Sequence, residues 1–170
     1  SMGVVVVEMV PWRRSLKRDS FNCGKPELDR WLKEQAGQQE RRYNTRTFAA
    51  VPPGDDVVVG YYATCTYRIE PDATAVSSEL RRTYPIPAIL LARLAVDQGW
   101  AGCGIGRQML VDALERMVDV SRNVGCEVVV VHAIDQEAVT FYARYGFRQV
   151  NSDPLRLYLP MKDIEATLSS

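Results

Sequence analysis

Histidine and cysteine are scarce in this chain of 170 residues, which has one histidine, His132, and four cysteines. The cysteines lie 42, 38 and 23 positions apart, which fits neither the CxxC spacing of a zinc site nor a small disulfide framework. We therefore expect no metal. A Ser-His or Cys-His nucleophile is excluded unless His132 serves in it. His132 ends a run of valines, where a half-buried structural histidine is the more frequent outcome.

Long hydrophobic segments are also missing. No apolar stretch approaches the roughly 18 residues of a transmembrane helix, and residues 1–10 lack the basic start and apolar core of a secretion signal. We expect a cytoplasmic protein with no membrane partner, and we interpret Ser1 and Met2 as what tag removal leaves. With 46% apolar and 25% charged residues, the sequence predicts a single domain over residues 1–170.

Net charge of either sign is absent, since 21 Lys and Arg balance 21 Asp and Glu. The first 50 residues nevertheless carry 10 basic residues against 6 acidic ones, and 17 of the 21 basic residues are arginine. Arginine suits phosphate better than lysine does, because its planar fork can donate two parallel hydrogen bonds. A phosphate-bearing partner and an ordinary solvated surface both remain open.

Apolar periodicity predicts a mixed α/β domain. The turn cluster at residues 52–56 predicts an antiparallel hairpin between strands at residues 45–51 and 57–67. Residues 70–87 contain three prolines, so we expect a surface loop with one helical turn there. Further strands are predicted at residues 4–10, 89–96, 127–132, 147–150 and 155–161, and helices at residues 26–40, 105–125 and 135–144.

A glycine-rich turn joins the strand ending at Val96 to the helix that follows. Alternate glycines can aim several backbone N–H groups at one point, and the positive end of the helix adds to their field, as a pyrophosphate site requires. Gly106 is followed by Arg107 and Gln108, so the turn is no Walker A loop, and its spacing is not that of a dinucleotide fold. A glycine-rich connection without a ligand remains the alternative.

Three segments resemble the GNAT acyltransferase family in order and spacing. They are Arg93-Leu-Ala-Val-Asp, Gly102-x-Gly104-x-Gly106 and the run from Ala138 to Phe147. Phe21-Asn-Cys-Gly24, Leu28-Asp29, Trp31-Leu32 and Gly60-Tyr61-Tyr62 are similar to one branch of that family, the toxins of toxin–antitoxin pairs that acetylate the amino acid on charged tRNA. The resemblance covers residues 21–161.

The resemblance implies an α/β (α+β) GNAT fold, a mixed and mostly antiparallel sheet with a splayed pair of strands, flanked by helices. It implies acetyl-CoA as cosubstrate. Ala101 stands where the family usually has Gln or Arg, and Cys103 replaces a frequent basic residue, so side-chain donors are lost while the backbone turn is kept. Cys103 is either a reactive thiol or a small side chain that fills space in the tight turn. The implied cofactor-binding residues are Leu94, Ala95, Val96, Ala101, Gly102, Cys103, Gly104, Ile105, Gly106, Arg107 and Asp135.

The resemblance also implies direct transfer from acetyl-CoA to an amine, without a covalent enzyme intermediate. Tyr142 matches the tyrosine that protonates the departing thiolate, and the N–H of Val96 stabilises the developing oxyanion. Two roles stay open for Tyr142, because its spacing equally suits an aromatic core residue. Asp135 equally suits a helix cap.

The implied substrate is aminoacyl-tRNA, and the implied partners are a ribbon-helix-helix antitoxin and a second copy in a homodimer. Arg93 is the leading tRNA-binding candidate. Arg13, Arg14, Lys17, Arg41, Arg42, Arg81 and Arg82 are further candidates. Two alternatives are a GNAT enzyme acting on a small amine or a protein N-terminus, and a non-catalytic module that binds a partner.

Overall fold

The computed structural model describes residues 3–72, 75, 77–150 and 153–169. Its strands are β1 (Glu8–Pro11), β2 (Arg46–Val51), β3 (Gly60–Ile69), β4 (Ile86–Val96), β5 (Val128–His132), β6 (Arg148–Gln149) and β7 (Arg156–Pro160). Its helices are α1 (Pro26–Glu34), α2 (Ala36–Arg41), α3 (Ile105–Ser121), α4 (Gln136–Ala143) and α5 (Met161–Ser169).

The seven strands form one sheet in the order β1-β2-β3-β4-β5-β7-β6. Strands β4 and β5 are parallel, whereas β1–β2, β2–β3, β5–β7 and β6–β7 are antiparallel. This arrangement confirms the mixed, mostly antiparallel sheet that the sequence predicts. Among the described residues, β4 pairs with β5 only over residues 88–91, and β4 continues to Val96. The register ends at the pair Leu91 and Val131, one residue before the end of β5.

The chain divides into two compact units. The first unit comprises Ser1–Cys65 and Ala92–Ala113, and the second comprises Thr66–Leu91 and Leu114–Ser170. In the first unit, the fully buried ring of Tyr61 stacks on Trp31 at 5.9 Å and meets Phe21 edge-on at 5.6 Å.

The core of the second unit forms around Tyr158, Ile86 and Val130, which lie in one buried cluster. The Tyr158 hydroxyl is buried in part and donates a hydrogen bond of 2.5 Å to Glu79. This bond satisfies the one polar group that the aromatic ring carries into the cluster.

The predicted hairpin is confirmed, and α4 is confirmed with Asp135 as its cap, whereas the helix predicted over residues 26–40 is interrupted at Gln35. The interruption places Gly37 against the indole of Trp12, where a Cβ atom at position 37 would lie 2.8 Å from the ring. A close contact between the backbone of Gly37 and the indole of Trp12 thus accompanies the interruption of the helix.

Two further elements differ from the prediction, one at each end of the chain. The first strand begins at Glu8 and not at residue 4. Helix α5 was not predicted, and it is held by the buried side chains of Met161 and Ile164. The loop predicted over residues 70–87 includes the expected helical turn at Ser78–Leu80, and its residues 73, 74 and 76 lie outside the described part.

No helix among the described residues has the length and apolarity needed to cross a membrane. Within the same residues, no three His, Cys, Asp or Glu side chains are grouped as a metal site requires.

Candidate functional site

The turn between β4 and α3 presents a row of unused backbone donors. Gly102 and Gly104 have φ angles of 77° and 78°, a left-handed conformation that glycine adopts without steric cost. The first helical hydrogen bond of α3 runs from the N–H of Gln108 to the carbonyl of Gly104. The six N–H groups of residues 102–107 donate to no residue that the structure describes. Such a row of amides at a helix N-terminus suits an anion.

The side chains of the turn do not cover the row of N–H groups. Cys103 is 0% exposed and Ile105 is also buried, so both point into the protein, whereas Ala101 and Arg107 are exposed. The Cys103 thiol lies 3.8 Å from the carbonyl oxygen of Ala101. Because a buried thiol cannot meet a reagent, the structure favours the filler interpretation of Cys103 over the reactive one.

Asp97 holds the entrance of the turn. Its carboxylate accepts from the N–H of Gly99 at 2.8 Å and from the N–H of Asn22 at 3.0 Å. Its own N–H donates to the carbonyl of Val59, the residue before β3, at 2.9 Å. Since N–H directions alternate along a strand, the N–H of Val96 points away from β3. The N–H of the predicted oxyanion donor therefore lies on the other edge of β4.

Gly60 allows the strand beneath the turn to lie close to α3. A Cβ atom at this position would lie 2.8 Å from the sulfur of Met109 and 3.2 Å from the carbonyl oxygen of Ala95. Ala95 is buried there, and its neighbours Leu94 and Val96 are half-buried. Packing thus requires glycine at position 60, the first residue of the segment Gly60-Tyr61-Tyr62.

Arg93 is half-buried, and its guanidinium lies over the ring of Trp31. Its guanidinium carbon lies 4.3 Å from the ring centroid of Trp31, a geometry typical of a cation–π interaction. Burial lowers the pKa of Arg93, and the nearby Tyr61, Cys65 and Glu27 act in the opposite direction. Arg93 forms no ion pair within the described part of the chain. Its charge is therefore available to an outside anion.

Arg13 forms an ion pair with Asp56 at 2.5 Å. Four of the other arginines predicted to bind tRNA fall into two groups. Arg41, Arg42 and Arg81 are exposed and have no ion pair with a described residue. Arg82 donates to Glu127 at 3.1 Å, which raises the pKa of Arg82 and neutralises it locally. Arg82 is thus a poorer candidate for phosphate binding than the three exposed arginines.

Tyr142 combines burial with an unused donor. It is 6% exposed and packs edge-on against Phe141 at 5.2 Å and Phe147 at 5.4 Å. Its hydroxyl forms no hydrogen bond with another described residue, and burial raises the pKa of Tyr142. The hydroxyl therefore keeps its proton at neutral pH and has it free to donate.

Asp135 and His132 have structural partners. The Asp135 carboxylate accepts from the N–H of Ala138 at 2.9 Å and caps α4, as expected from the sequence. The cofactor contact of Asp135 stays a prediction. His132 meets Tyr67 edge-on at 5.3 Å, and burial and Arg156 lower the pKa of His132.

Sequence reasoning missed the positioning contacts around these residues. Nothing in the spacing indicated that Trp31 would lie under Arg93, or that the side chain of Gln108 would reach back to the N-terminal segment. The one signal was Trp31 itself, a large aromatic residue at an amphipathic position of the predicted helix.

Comparisons with known proteins agree with this geometry. Residues 48–149 match the family model described as an acetyltransferase (GNAT) domain. The chain is 37% identical over 152 residues to a tRNA-acetylating toxin of Mycobacterium tuberculosis, covering 88% of this chain and 89% of the relative. It also resembles the solved structure of AtaT complexed with acetyl-methionyl-tRNAfMet, with a TM-score of 0.86, 25% identity, and coverage of 96% and 99%.

A tyrosine-to-phenylalanine mutant of AtaT, bound to the C-terminus of the antitoxin AtaR and to acetyl-CoA, gives a TM-score of 0.84 at 25% identity over 96% of this chain and 99% of that one. Fold and comparisons together define an acetyltransferase. The chain belongs to the GNAT family, in its branch of tRNA-acetylating toxins.

Proposed function

We propose that this protein transfers an acetyl group from acetyl-CoA to the α-amine of an amino acid esterified to tRNA, and so acts as the toxin of a toxin–antitoxin pair. The observation that carries the proposal is the row of six N–H groups at residues 102–107, which donate to no described residue, in a chain 37% identical to a tRNA-acetylating toxin. The AtaT structure with acetyl-methionyl-tRNAfMet supports the choice of acceptor.

The backbone would bind the cosubstrate. The N–H groups of residues 102–107, with the exposed Arg107 beside them, suit a pyrophosphate, and residues 94–96 would pair with the pantetheine arm. Acetyl-CoA supplies the acetyl group as a thioester. The N–H of Val96 would donate to the thioester carbonyl oxygen as negative charge develops on it.

Tyr142 would act as general acid, delivering its proton to the sulfur that leaves. A free α-amine has a pKa of about 7.7–8.0, so a useful neutral fraction exists without a strong base. Direct attack by this amine needs no covalent enzyme intermediate, which suits a chain with a single histidine.

Changing Gly104→Ala tests the turn as the cosubstrate site. Alanine disfavours a φ of 78°, so the row of N–H groups should lose its shape and the Kd for acetyl-CoA should rise about tenfold. Isothermal titration calorimetry measures this. Gly54→Ala is the matched control, because Gly54 has a φ of 77° in the β2–β3 turn with open space around it. An equal loss of affinity in both variants would place the cosubstrate elsewhere.

The acceptor tRNA would be bound through its phosphates. Arg93 has a guanidinium fixed by Trp31 and no ion pair with a described residue, so binding one phosphate costs it little reorganisation. Arg41, Arg42 and Arg81 would add exposed charges.

Arg93→Gln should raise the KM for charged tRNA about tenfold, since a hydrogen bond to a charged group is lost. The slope of log KM against log salt should fall by about 0.7–0.9, as for one phosphate contact. The KM for acetyl-CoA should stay unchanged. Arg122→Gln, which removes an exposed arginine paired with Asp119, is the control. An unchanged salt slope in Arg93→Gln would remove Arg93 from the RNA interface.

Charged tRNA is a cytoplasmic substrate, so the proposal places the protein in the cytoplasm. AtaT in complex with the AtaR C-terminus supports an antitoxin as partner, which we propose to be a ribbon-helix-helix protein. A homodimer would present two copies of the RNA-binding arginines.

A further inference from the structure

The extended segment of residues 3–7 lies against the glycine turn. The N–H of Val5 donates to the carbonyl of Cys103 at 3.0 Å. The side chain of Val4 reaches the turn as well, with Cγ1 lying 3.4 Å from the position that a Cβ of Gly104 would occupy. The segment therefore contacts the turn at the carbonyl of Cys103 and at the Cα of Gly104. Among the described residues, it accepts no hydrogen bond from the six N–H groups of residues 102–107.

Gln108, on the first turn of α3, ties this segment to the turn with one amide group. Its Nε2 donates to the carbonyl of Val5 at 2.6 Å and to the carbonyl of Gly104 at 3.3 Å. Its Oε1 accepts from the N–H of Val7 at 3.1 Å. Both ends of the amide are occupied, so the side chain has no reason to contact a ligand.

The turn needs such support because its own backbone does little to fix it. Gly102 and Gly104 can leave the left-handed conformation freely, and the N–H groups of residues 102–107 make no hydrogen bond with a described residue that would resist a change. The N–H of Val5 holds the carbonyl of Cys103, and both the side chain and the backbone N–H of Gln108 hold the carbonyl of Gly104. Fixing those carbonyls also fixes the N–H groups of Gly104 and Ile105, which lie in the same peptide planes.

We propose that Gln108 and residues 3–7 form a brace that holds the glycine turn in the shape that binds the pyrophosphate of acetyl-CoA. Gln108 is then a positioning residue, acting through the turn. The inference rests on the proposed function only in assigning the ligand of the turn. Because the brace touches no reacting group, its loss should weaken acetyl-CoA binding and leave kcat unchanged.

Gln108→Met removes the three hydrogen bonds while keeping side-chain length and helix propensity. We expect the Kd for acetyl-CoA, measured by calorimetry on the folded protein, to rise about three- to tenfold, the range of one or two lost hydrogen bonds. The KM for acetyl-CoA should rise by the same factor, with kcat within twofold. Gln149→Met, at an exposed position of β6, is the control and should bind as the wild type does.

A double-mutant cycle separates the brace from a general loss of stability. A chain lacking residues 1–6 loses the Val5 partner and should show a similar rise in Kd. Combining this truncation with Gln108→Met should add little to either change, because both break the link between Gln108 and Val5. Additive effects would show that the two act separately and would overturn the brace. An unchanged Kd in Gln108→Met, with or without a lower Tm, would overturn it as well.

The same titrations distinguish failure of the brace from failure of the proposed function. If the wild-type protein does not bind acetyl-CoA, the ligand assignment is wrong. If the wild type binds and Gly104→Ala weakens binding while Gln108→Met does not, the turn is the site and the brace is not needed.

Discussion

Tyr142→Phe should lower turnover about 10²-fold while the Kd for acetyl-CoA stays within twofold, since only a proton donor in the transition state is lost. The change should be well tolerated by the fold, because the ring contacts with Phe141 and Phe147 do not involve the hydroxyl. Single-turnover rates with acetyl-CoA and charged tRNA measure the effect. Tyr145→Phe is the matched control, since Tyr145 lies three residues away and packs on the same Phe141.

If the turnover of Tyr142→Phe lies within threefold of the wild type, Tyr142 is a core packing residue and not the general acid. The pH profile gives a second criterion. Burial raises the pKa of Tyr142, so the protonated form persists above the ordinary tyrosine range of about 10. The rate should therefore rise with pH as the acceptor amine loses its proton, and it should not fall between pH 8 and about 10 through ionisation of Tyr142.

Local chemistry allowed much of the fold to be predicted. The turn at residues 52–56 indicated the β2–β3 hairpin, and Asp135 indicated the start of α4, because turn and cap residues act within a few positions of themselves. The glycine turn was predicted in the same way. Its function as a cosubstrate site came from the resemblance, since three spaced glycines do not specify a ligand.

Contacts between distant parts of the chain could not be predicted. Helix α1 ends at Glu34 although its pattern would continue, and Gly37 beyond it lies against Trp12. Residues 4–7 have the composition of a strand, yet they form the brace with Gln108, about a hundred positions away. No local signal in either segment indicates the other.

Tyr142 shows why a functional residue can look like a core residue. Its spacing on α4 predicts burial, and the structure confirms that it is buried. Hydrophobic periodicity predicts where the ring of Tyr142 lies but gives no information about its hydroxyl. Only the structure shows that this hydroxyl has no hydrogen-bond partner among the described residues.

The acceptor is the central claim, and it gives the largest effect that we expect. The amine of the esterified amino acid is the nucleophile, and the nucleic acid only positions it. Charged tRNA should therefore be acetylated, and the same tRNA without its amino acid should not react at all. Deacylated tRNA is a well-matched control, because it presents the same phosphates to Arg93.

Incubation of the protein with radiolabelled acetyl-CoA and a pool of charged tRNA, followed by hydrolysis of the ester, measures this directly. The account predicts label on the released amino acids as N-acetyl derivatives, and none on deacylated tRNA. Efficient labelling of free amino acids, polyamines or peptide N-termini, with no label on charged tRNA, would contradict the account and leave an acetyltransferase of small amines or protein N-termini.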